Sequence, residues 1–396
     1  MHVGINAQLL SFSQNYRNGG ISRHIRSLLT ALAKWPGQHE YTVFVNGEDV
    51  IECLGARHPQ ITYISAPWSE ARPESRIVWE QFALPSLIRQ RHINVLHSPA
   101  NVLPELLPRD CAGVVTLHDL AFLRFPKVLT STKRLYHRTF TIRSLRRAMM
   151  IISVSESTKQ DAMELVGIPA ERLQTVYASI DERFSSMVTE EEVNTFRQKH
   201  DLMQGFLLYL GTLEPRKNIA TLIEAYAHLR RTYARAEKLV LAGGKGWLYE
   251  KIYEKIEQLG LKGEVIFPGF VADSEQKLWY CAASAFVYPS IYEGFGLPVV
   301  EALACGTPVV TSNVSSLPEA GSGIALCVEP YNVEAMAEAQ YKALTDQAFR
   351  QRCRDMARVV AQRFSAQTMV EKTISVYEQA AALHDPRHGS RRISFV

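Results

Sequence analysis

The chain of 396 residues is long enough for two or three domains, and its 46% apolar and 21% charged residues are ordinary for a globular protein. A net charge of +4 does not indicate a nucleic-acid binder, and the six cysteines include no Cys-x-x-Cys pair, which favours reduced thiols over a metal site. No apolar run is long enough to cross a bilayer and no signal peptide is visible, so the sequence predicts a cytoplasmic protein, with peripheral membrane contact left open.

Short apolar runs typical of strands alternate with longer helical patterns along the whole chain. We predict strands at 2–7, 41–46, 61–65, 93–98, 112–119, 150–155, 206–211, 238–243, 264–269, 285–290, 308–312 and 323–328. Apolar strands separated by amphipathic helices are typical of parallel sheets covered on both faces. The predicted fold class is therefore α/β.

The predicted strands are too many for one open sheet, and the pattern restarts near residue 206 after a polar, acidic stretch at 181–202. We predict two Rossmann-like domains that face each other across a cleft, an N-terminal one at 1–183 and a C-terminal one at 184–396. A final helix at about 366–383 has no obvious docking site in the pattern, and packing back on the N-terminal domain is one option. In such sheets ligands bind outside the carboxyl ends of the strands.

Two glutamates surround a glycine-rich turn in the stretch YPSIYEGFGLPVVEALACGTPVV, residues 288–310. Glu293 follows a predicted strand, Gly296 allows close backbone approach to a ligand, and Glu301 lies in the predicted first turn of the next helix. The start of that helix favours an anion. A single acid here would be an ordinary loop or helix-start residue, but the pair favours a site that binds hydroxyl groups.

Two further turns offer anion-binding groups. Arg216 and Lys217, in YLGTLEPRKNIATLIEAY, lie between a strand and a helix and suit a diphosphate, although a solvated basic turn is the simpler alternative. Gly19 and Gly20 open a helix after the first strand, where parallel sheets present anion sites. They are equally consistent with a plain helix start, and no Gly-x-Gly-x-x-Gly follows the first strand to indicate a dehydrogenase.

A histidine and a basic segment complete the candidates. His118 ends an apolar strand, with Asp119 beside it to orient its ring or an acceptor, although a lone histidine is more often structural. Residues 120–147 then contain eight Lys or Arg and no Asp or Glu, interleaved with aromatic residues. The segment is either a solvated basic helix or a surface for an acidic acceptor or an anionic membrane.

The Glu293-x7-Glu301 spacing within EGFGLPVVEALACGTPVV resembles the signature of retaining glycosyltransferases of family 4, which have the GT-B fold. The resemblance extends over nearly the whole chain and is strongest over 206–330. The variant LGTLEPRKN at 210–218 looks like that of mannosyltransferases of surface-polysaccharide pathways. One departure is Thr212, where many members carry an arginine that adds a third cation.

The resemblance implies a role for each matching residue. Glu293 would lie beside the donor sugar, Glu301 would hold the ribose, Arg216 and Lys217 would bind the diphosphate, and His118 would contact the sugar. The glycine loop would cover the diphosphate, and the backbone of the glycine-rich turn would contact sugar and diphosphate. The resulting catalytic set is His118, Arg216, Lys217 and Glu293, and the substrate-binding set is Gly19, Gly20, Val271, Phe295, Gly296, Leu297 and Glu301.

The implied activity is retaining transfer of a hexose from a nucleotide-diphosphate sugar to a glycan or lipid-linked acceptor. Mannose from GDP-mannose is favoured, with UDP-sugars as the alternative, and no cofactor is expected. No Asp-x-Asp triplet is present and Asp273-Ser274-Glu275 only approaches one, so we expect no metal. The alternatives are a GT-B-fold epimerase or phosphorylase and a non-catalytic sugar-nucleotide or glycan-binding protein.

Overall fold

The computed structural model describes residues 1–12, 19–66, 73–125, 137–244, 246 and 250–384. The chain forms two compact units, the first built from Met1–Ser179 together with the residues from Ala366 onward, the second from Ile180–Ser365. The sequence predicts a boundary at 183 and places the final helix in the range of the second domain, with packing back on the first domain as one option. In the structure the division falls at 179/180, and the final helix belongs to the first unit because its apolar face packs there.

Two parallel sheets hold the strands of the described residues. Seven strands form the first, with the order β3-β2-β1-β4-β5-β6-β7, and six form the second, with the order β10-β9-β8-β11-β12-β13. The strands of the first unit are β1 His2–Asn6, β2 Glu40–Asn46, β3 Ile61–Ala66, β4 Val95–Ser98, β5 Ala112–Leu117, β6 Met150–Ser153 and β7 Leu173–Thr175. Those of the second are β8 Phe206–Leu210, β9 Lys238–Ala242, β10 Val265–Gly269, β11 Ala285–Tyr288, β12 Val309–Ser312 and β13 Leu326–Val328.

All the predicted strands are present, and the predicted α/β class of two Rossmann-like domains is confirmed. The central strands are almost continuously buried, as expected for strands covered on both faces. Only β7 was missed. Its sequence, Leu-Gln-Thr, is too short to carry a periodic signal, and it forms the edge of the first sheet.

Helices cover both sheets. In the first unit they are α1 Gly20–Lys34, α2 Glu48–Leu54, α3 Pro73–Gln90, α4 Ala121–Arg124, α5 Ile142–Arg147 and α6 Glu156–Asp161. In the second they are α7 Glu190–Lys199, α8 Ile219–Tyr233, α9 Glu250–Gln258, α10 Gln276–Ala282, α11 Leu297–Ala304, α12 Leu317–Ala320, α13 Val333–Thr345 and α14 Gln347–Arg363. The last helix, α15, is Ala366–His384 and returns to the first unit.

Helix α7 shows why the acidic stretch after the boundary is helical. Thr189 accepts a hydrogen bond from the backbone of Glu192, and the Glu192 carboxylate accepts one from the backbone of Thr189, which is a capping box. Glu190 and Glu191 also lie in the first turn, where the helix dipole favours negative charge. The acidic sequence therefore begins a helix rather than extending a linker.

Helix α15 is held in the first unit by apolar contacts and one buried hydrogen bond. Val370 and Val376 are fully buried in the core beneath the first sheet. The ring of His97 on β4 shares a hydrogen bond of 2.7 Å with the hydroxyl of Tyr377, and both residues are fully buried. These contacts fix the end of the chain to the first sheet.

Candidate active site

The order of strands in the second sheet reverses between β8 and β11: β9 and β10 continue on one side of β8, and β11 to β13 lie on its other side. Strands β8 and β11 are therefore parallel neighbours in the sheet but not neighbours in sequence. Ligands of open α/β sheets bind at this kind of switch point, at the carboxyl ends of the strands. Arg216 and Lys217 follow β8 in the short 3-10 turn Pro215–Lys217, and Glu293 follows β11. The topology therefore brings together three of the predicted catalytic residues that are far apart in sequence.

A compact ion cluster forms at this point. The ammonium of Lys217 donates to Oε1 of Glu293 at 2.5 Å, and Nη1 of Arg216 donates to Oε2 of the same carboxylate at 3.2 Å. Arg216 also donates to the backbone carbonyl of Tyr292 at 2.7 Å and to Glu214 at 3.0 Å. Charge-assisted bonds of this kind fix the direction of each cation.

Burial and charge set the protonation of the cluster. Burial alone would raise the pKa of Glu293, but the charges of Lys217 and Arg216 outweigh it and lower that pKa to about 2. Burial lowers the pKa of Lys217, and the nearby Glu293 opposes this. At neutral pH Glu293 is therefore an ionised hydrogen-bond acceptor, and it cannot serve as a proton donor.

Two serines hold the loop that carries Glu293. The hydroxyl of Ser315 accepts from the backbone N–H of Glu293 at 2.9 Å, and the hydroxyl of Ser316 donates to the carbonyl of Phe295 at 2.8 Å. Ser315 has a φ of 51°, in the left-handed region that non-glycine residues rarely adopt. Sequence reasoning missed both serines, although a Ser-Ser pair just before a Leu-Pro helix start is a turn signal.

The glycine-rich turn has the backbone that the sequence requires. Gly296 has a φ of 107° and precedes α11, and a Cβ there would lie 2.9 Å from a methyl group of Leu317. Leu297 begins the helix, so Pro298 is its second residue and Glu301 its fifth. The expectation that Glu301 lies in the first turn is therefore wrong, because the helix starts one residue earlier than its proline indicated.

Glu301 lies one turn further into the helix and is 7% exposed. Its Oε2 accepts a hydrogen bond of 2.8 Å from the hydroxyl of Tyr280 on α10, and burial followed by the charge of Glu301 raises the pKa of that phenol well above its usual value. Tyr280 is a partner that the sequence did not reveal.

Two other predicted substrate-binding residues are buried. Phe295 is buried against Phe364, with ring centroids 5.4 Å apart, and Val271 is buried in the segment after β10.

The first unit places His118 at the carboxyl end of β5. Its Nε2 lies 2.9 Å from the carbonyl of Pro99, which can only accept, so Nε2 carries the proton and Nδ1 is an acceptor. Burial lowers the pKa of His118, with Pro99 and Asp119 partly opposing it, so the ring is neutral at pH 7. The ring of His24 meets it edge-on, with centroids 5.1 Å apart. The Asp119 carboxylate accepts from the backbone of Ala121.

The predicted glycine loop lies at the start of α1. Gly19 is the residue before the helix, and Gly20 is its first residue. A Cβ on Gly20 would meet no atom of the described residues within 4 Å. The residues that precede Gly19, 13–18, lie outside the described part of the chain.

The basic segment 120–147 is only partly described, and Lys127, Lys133, Arg134 and Tyr136 lie outside the described residues. Acids from other elements pair with several of its arginines. Arg124 bonds Asp161 at 2.6 Å and Glu164 at 3.2 Å, while Arg143 and Arg147 bond the Glu105 carboxylate at 3.3 and 2.9 Å. The segment has no acid in its own sequence, but tertiary contacts supply three.

Within the described ranges, no group of three or more His, Cys, Asp or Glu is arranged to hold a metal ion. A search of the same residues for a helix long and apolar enough to span a membrane also finds none.

The chain has two Rossmann-like domains, each with a parallel sheet, and two cations and a carboxylate lie at the switch point of the second sheet. Switch points of such sheets are common places for ligand binding. Two family models match the chain, Glycosyltransferase Family 4 over residues 18–184 and Glycosyl transferases group 1 over residues 190–360. The chain belongs to glycosyltransferase family 4, it is a glycosyltransferase, and its fold is GT-B.

Known proteins extend this comparison. The O-antigen chain mannosyltransferase B of Escherichia coli is 32% identical over 284 residues, which cover 72% of this chain and 74% of that protein. A serotype-specific mannosyltransferase, WbdA of Escherichia coli, is 33% identical over 222 residues, which cover 55% of this chain but 27% of that longer protein. The crystal structure of Anabaena Alr3699/HepE in complex with UDP and glucose has a TM-score of 0.69 at 18% identity and covers 96% of this chain and 100% of its own.

Proposed function

We propose that this protein is a retaining mannosyltransferase that moves mannose from a nucleotide-diphosphate donor, GDP-mannose first, to a glycan acceptor of a surface polysaccharide. The observation that carries the proposal is the Arg216, Lys217 and Glu293 cluster at the switch point of the second sheet. The mannosyltransferases among the relatives support the choice of sugar. The proposal includes a cytoplasmic location.

The role of the two cations follows from where charge develops. When the bond from the sugar to the diphosphate breaks, negative charge grows on the leaving oxygen, and preorganised cations stabilise it more than they stabilise the bound donor. Arg216 offers a planar fork that is already fixed by the carbonyl of Tyr292, and Lys217 offers a point charge. The start of α11, which follows Gly296, adds backbone N–H groups at the same edge of the sheet.

The roles of the acids follow from their protonation and partners. Glu293 is ionised and bonded to both cations, so it can accept hydrogen bonds from sugar hydroxyls and orient the cations, but it does not carry a proton. We therefore propose front-side transfer, in which the departing phosphate oxygen takes the proton of the acceptor hydroxyl. Glu301 would bind the ribose, and the neutral His118 ring would accept a hydrogen bond from the sugar through Nδ1.

The nucleobase of the sugar donor has one specific alternative to guanine, which is uracil. The HepE structure contains UDP and glucose, so a UDP-sugar is the second candidate. Because the cation pair supplies the charge that a metal often supplies, we propose that transfer needs no metal ion. Activity that persists in EDTA would agree with this, and activity lost in EDTA and restored by a divalent cation would contradict it.

The acceptor side of the proposal includes a glycan or lipid-linked acceptor and peripheral contact with an anionic membrane. Val78 and Phe82, one turn apart on α3, are 55% and 66% exposed, and Leu106 is 55% exposed. The loop with Leu106 lies against α3 because Gln81 accepts the backbone N–H of Glu105 at 2.7 Å. The same Glu105 binds arginines of the basic segment, so exposed apolar and cationic groups are neighbours, as at a lipid interface.

The test of the proposal is an assay of nucleoside diphosphate release from a panel of GDP- and UDP-sugars, with and without α-mannoside acceptors. We expect release of GDP from GDP-mannose that is strongly stimulated by an acceptor, and an α-linked product by NMR. A β-linked product would contradict the retaining mechanism. Conversion of the donor to another nucleotide sugar would indicate an epimerase instead, and binding without any turnover would indicate a binding protein.

A further inference from the structure

We propose that Tyr288, which has no assigned role, positions the ammonium of Lys217 so that one of its N–H bonds points at the leaving diphosphate. The proposal rests on the proposed function of the cation pair and gives a role to a residue that the sequence analysis left without one. Tyr288 is the last residue of β11, on the strand beside the one that leads to Lys217.

The geometry around Lys217 carries the proposal. An ammonium has three N–H donors. One is bonded to the hydroxyl oxygen of Tyr288 at 2.7 Å and one to Oε1 of Glu293 at 2.5 Å, while the described residues offer no acceptor to the third. Two fixed acceptors determine the direction of the remaining donor. The ammonium lies 5.1 Å from the centre of the Tyr288 ring, on the side of its hydroxyl group.

Tyr288 is itself rigidly held. It is 2% exposed, and its ring stacks on Tyr209 of β8 with centroids 5.9 Å apart and an interplanar angle of 13°. Phe286, two residues earlier, flanks it at 5.8 Å and 19°. The hydroxyl of Tyr209 donates to the carbonyl of Thr212 at 2.9 Å, which fixes the second ring in turn. A tyrosine that cannot move is a suitable anchor for a flexible lysine side chain.

The physical need for an anchor comes from the strong attraction of Glu293. Without the phenol, the ammonium would turn toward the carboxylate and lose the direction of its third donor. The groups that face Lys217 are the anions of Glu293 and Glu214, the cation of Arg216 and the neutral phenol of Tyr288. Burial raises the pKa of the Tyr288 phenol well above its usual value, so it remains a neutral hydrogen-bond partner throughout the working pH range.

The direct test compares Tyr288→Phe with Tyr209→Phe. Each variant removes one buried hydroxyl from a ring of the same stack, but only Tyr288 touches Lys217. For Tyr288→Phe we expect kcat to fall by about tenfold or more while the donor KM changes by less than about threefold, because the lost interaction matters in the transition state. Tyr209→Phe should keep kcat within about threefold of wild type. Equal losses in both variants would overturn the proposal.

A second measurement does not depend on turnover. The Nζ resonance of Lys217 can be observed in protein with 15N-labelled lysine and assigned by its loss in Lys217→Arg. Because the phenol oxygen stabilises the charged ammonium, its removal should lower the pKa of Lys217, and the alkaline limb of the kcat profile should move to lower pH in parallel. An unchanged Lys217 pKa in Tyr288→Phe would overturn the positioning role.

The two proposals fail in distinguishable ways. If wild type releases a nucleoside diphosphate and Lys217→Ala does not, while Tyr288→Phe behaves like wild type, the Tyr288 proposal alone is wrong. If wild type releases no nucleoside diphosphate from any sugar donor, the proposed function is wrong, and the role of Tyr288 at a leaving diphosphate is overturned with it.

Discussion

Lys217 and Glu293 are 76 residues apart in the chain, yet the ammonium of one lies 2.5 Å from the carboxylate of the other. Each side chain is only about a tenth exposed. Removing one partner of a buried ion pair leaves the other charge buried and uncompensated, which destabilises the fold. This contact therefore links the stability of the second unit to its proposed chemistry. Variants of these two residues therefore need stability measurements beside activity measurements.

The stability losses from removing the two partners of this pair should not be additive. For Lys217→Met and for Glu293→Gln we expect the free energy of unfolding to fall by about 3–5 kcal/mol each. The double variant should cost less than the sum of the two by about 1–3 kcal/mol, because neither charge is then left alone. Urea unfolding of all four proteins measures the coupling. Strictly additive losses would show that the pair contributes no mutual stabilisation.

Arg216→Ala tests the cation clamp with less risk to the fold, because its side chain is 23% exposed. We expect turnover to fall by about a hundredfold or more, seen in kcat as well as KM, because a donor at the leaving group is lost. Lys217→Ala should lose at least as much activity. The matched control is Arg230→Ala, which breaks an ion pair with Glu264 on the same unit and should leave turnover unchanged. A normal kcat/KM in Arg216→Ala would remove it from the mechanism.

The low pKa of Glu293 predicts a specific acid sensitivity. Its value of about 2 in the folded state lies below the ordinary carboxyl value, so its stabilising contribution is full above the ordinary value and is lost as pH falls toward 2. The contribution is on the order of 3 kcal/mol. The melting temperature should therefore fall more steeply between about pH 6 and about pH 2 for wild type than for Glu293→Gln. Parallel curves would contradict the assigned pKa.

The two glutamates of the motif should differ in kinetic effect. Glu301→Gln keeps an acceptor for the Tyr280 hydroxyl but weakens binding to ribose, which is unchanged by the reaction, so donor KM should rise more than kcat falls. Glu293→Gln should do the reverse, because charge develops next to it. Steady-state kinetics with varied donor concentration separates the two. If both variants change the same kinetic parameter, either donor KM or kcat, to the same extent, the two glutamates do not have separate roles.

Contact with an anionic membrane can be tested on described residues. Arg138 and Arg146 are exposed, and no described acid forms an ion pair with the guanidinium of either. Reversing both to Glu should weaken binding to anionic vesicles and make it less sensitive to salt, because each cation near such a surface adds about 1 kcal/mol. Changing Phe82 to Ser should weaken the binding but leave its sensitivity to salt unchanged, because the lost contact is apolar. Donor KM should stay constant. Vesicle binding that is the same in all variants would leave only the solvated-helix interpretation of the basic segment.

The amino-acid sequence alone determined the elements and the motif. Apolar runs of strand length between amphipathic helices predicted two parallel sheets, because a strand buried on both faces has no polar alternation. Local turn chemistry likewise predicted the glycine-rich turn before α11 and the basic pair after β8. These features depend on neighbours in the chain, so a local pattern is enough to reveal them.

Only the tertiary structure decided which side chains meet. The order β8-β11 brings Lys217, Tyr288 and Glu293 together, and nothing in their separate segments predicts that contact. The same holds for the serines that support Glu293 and for Glu105, which neutralises arginines that look unpaired in the sequence. Sheet order and helix docking come from the burial of whole apolar faces, a property of the complete fold. A contact between distant residues is therefore fixed only when those faces have packed.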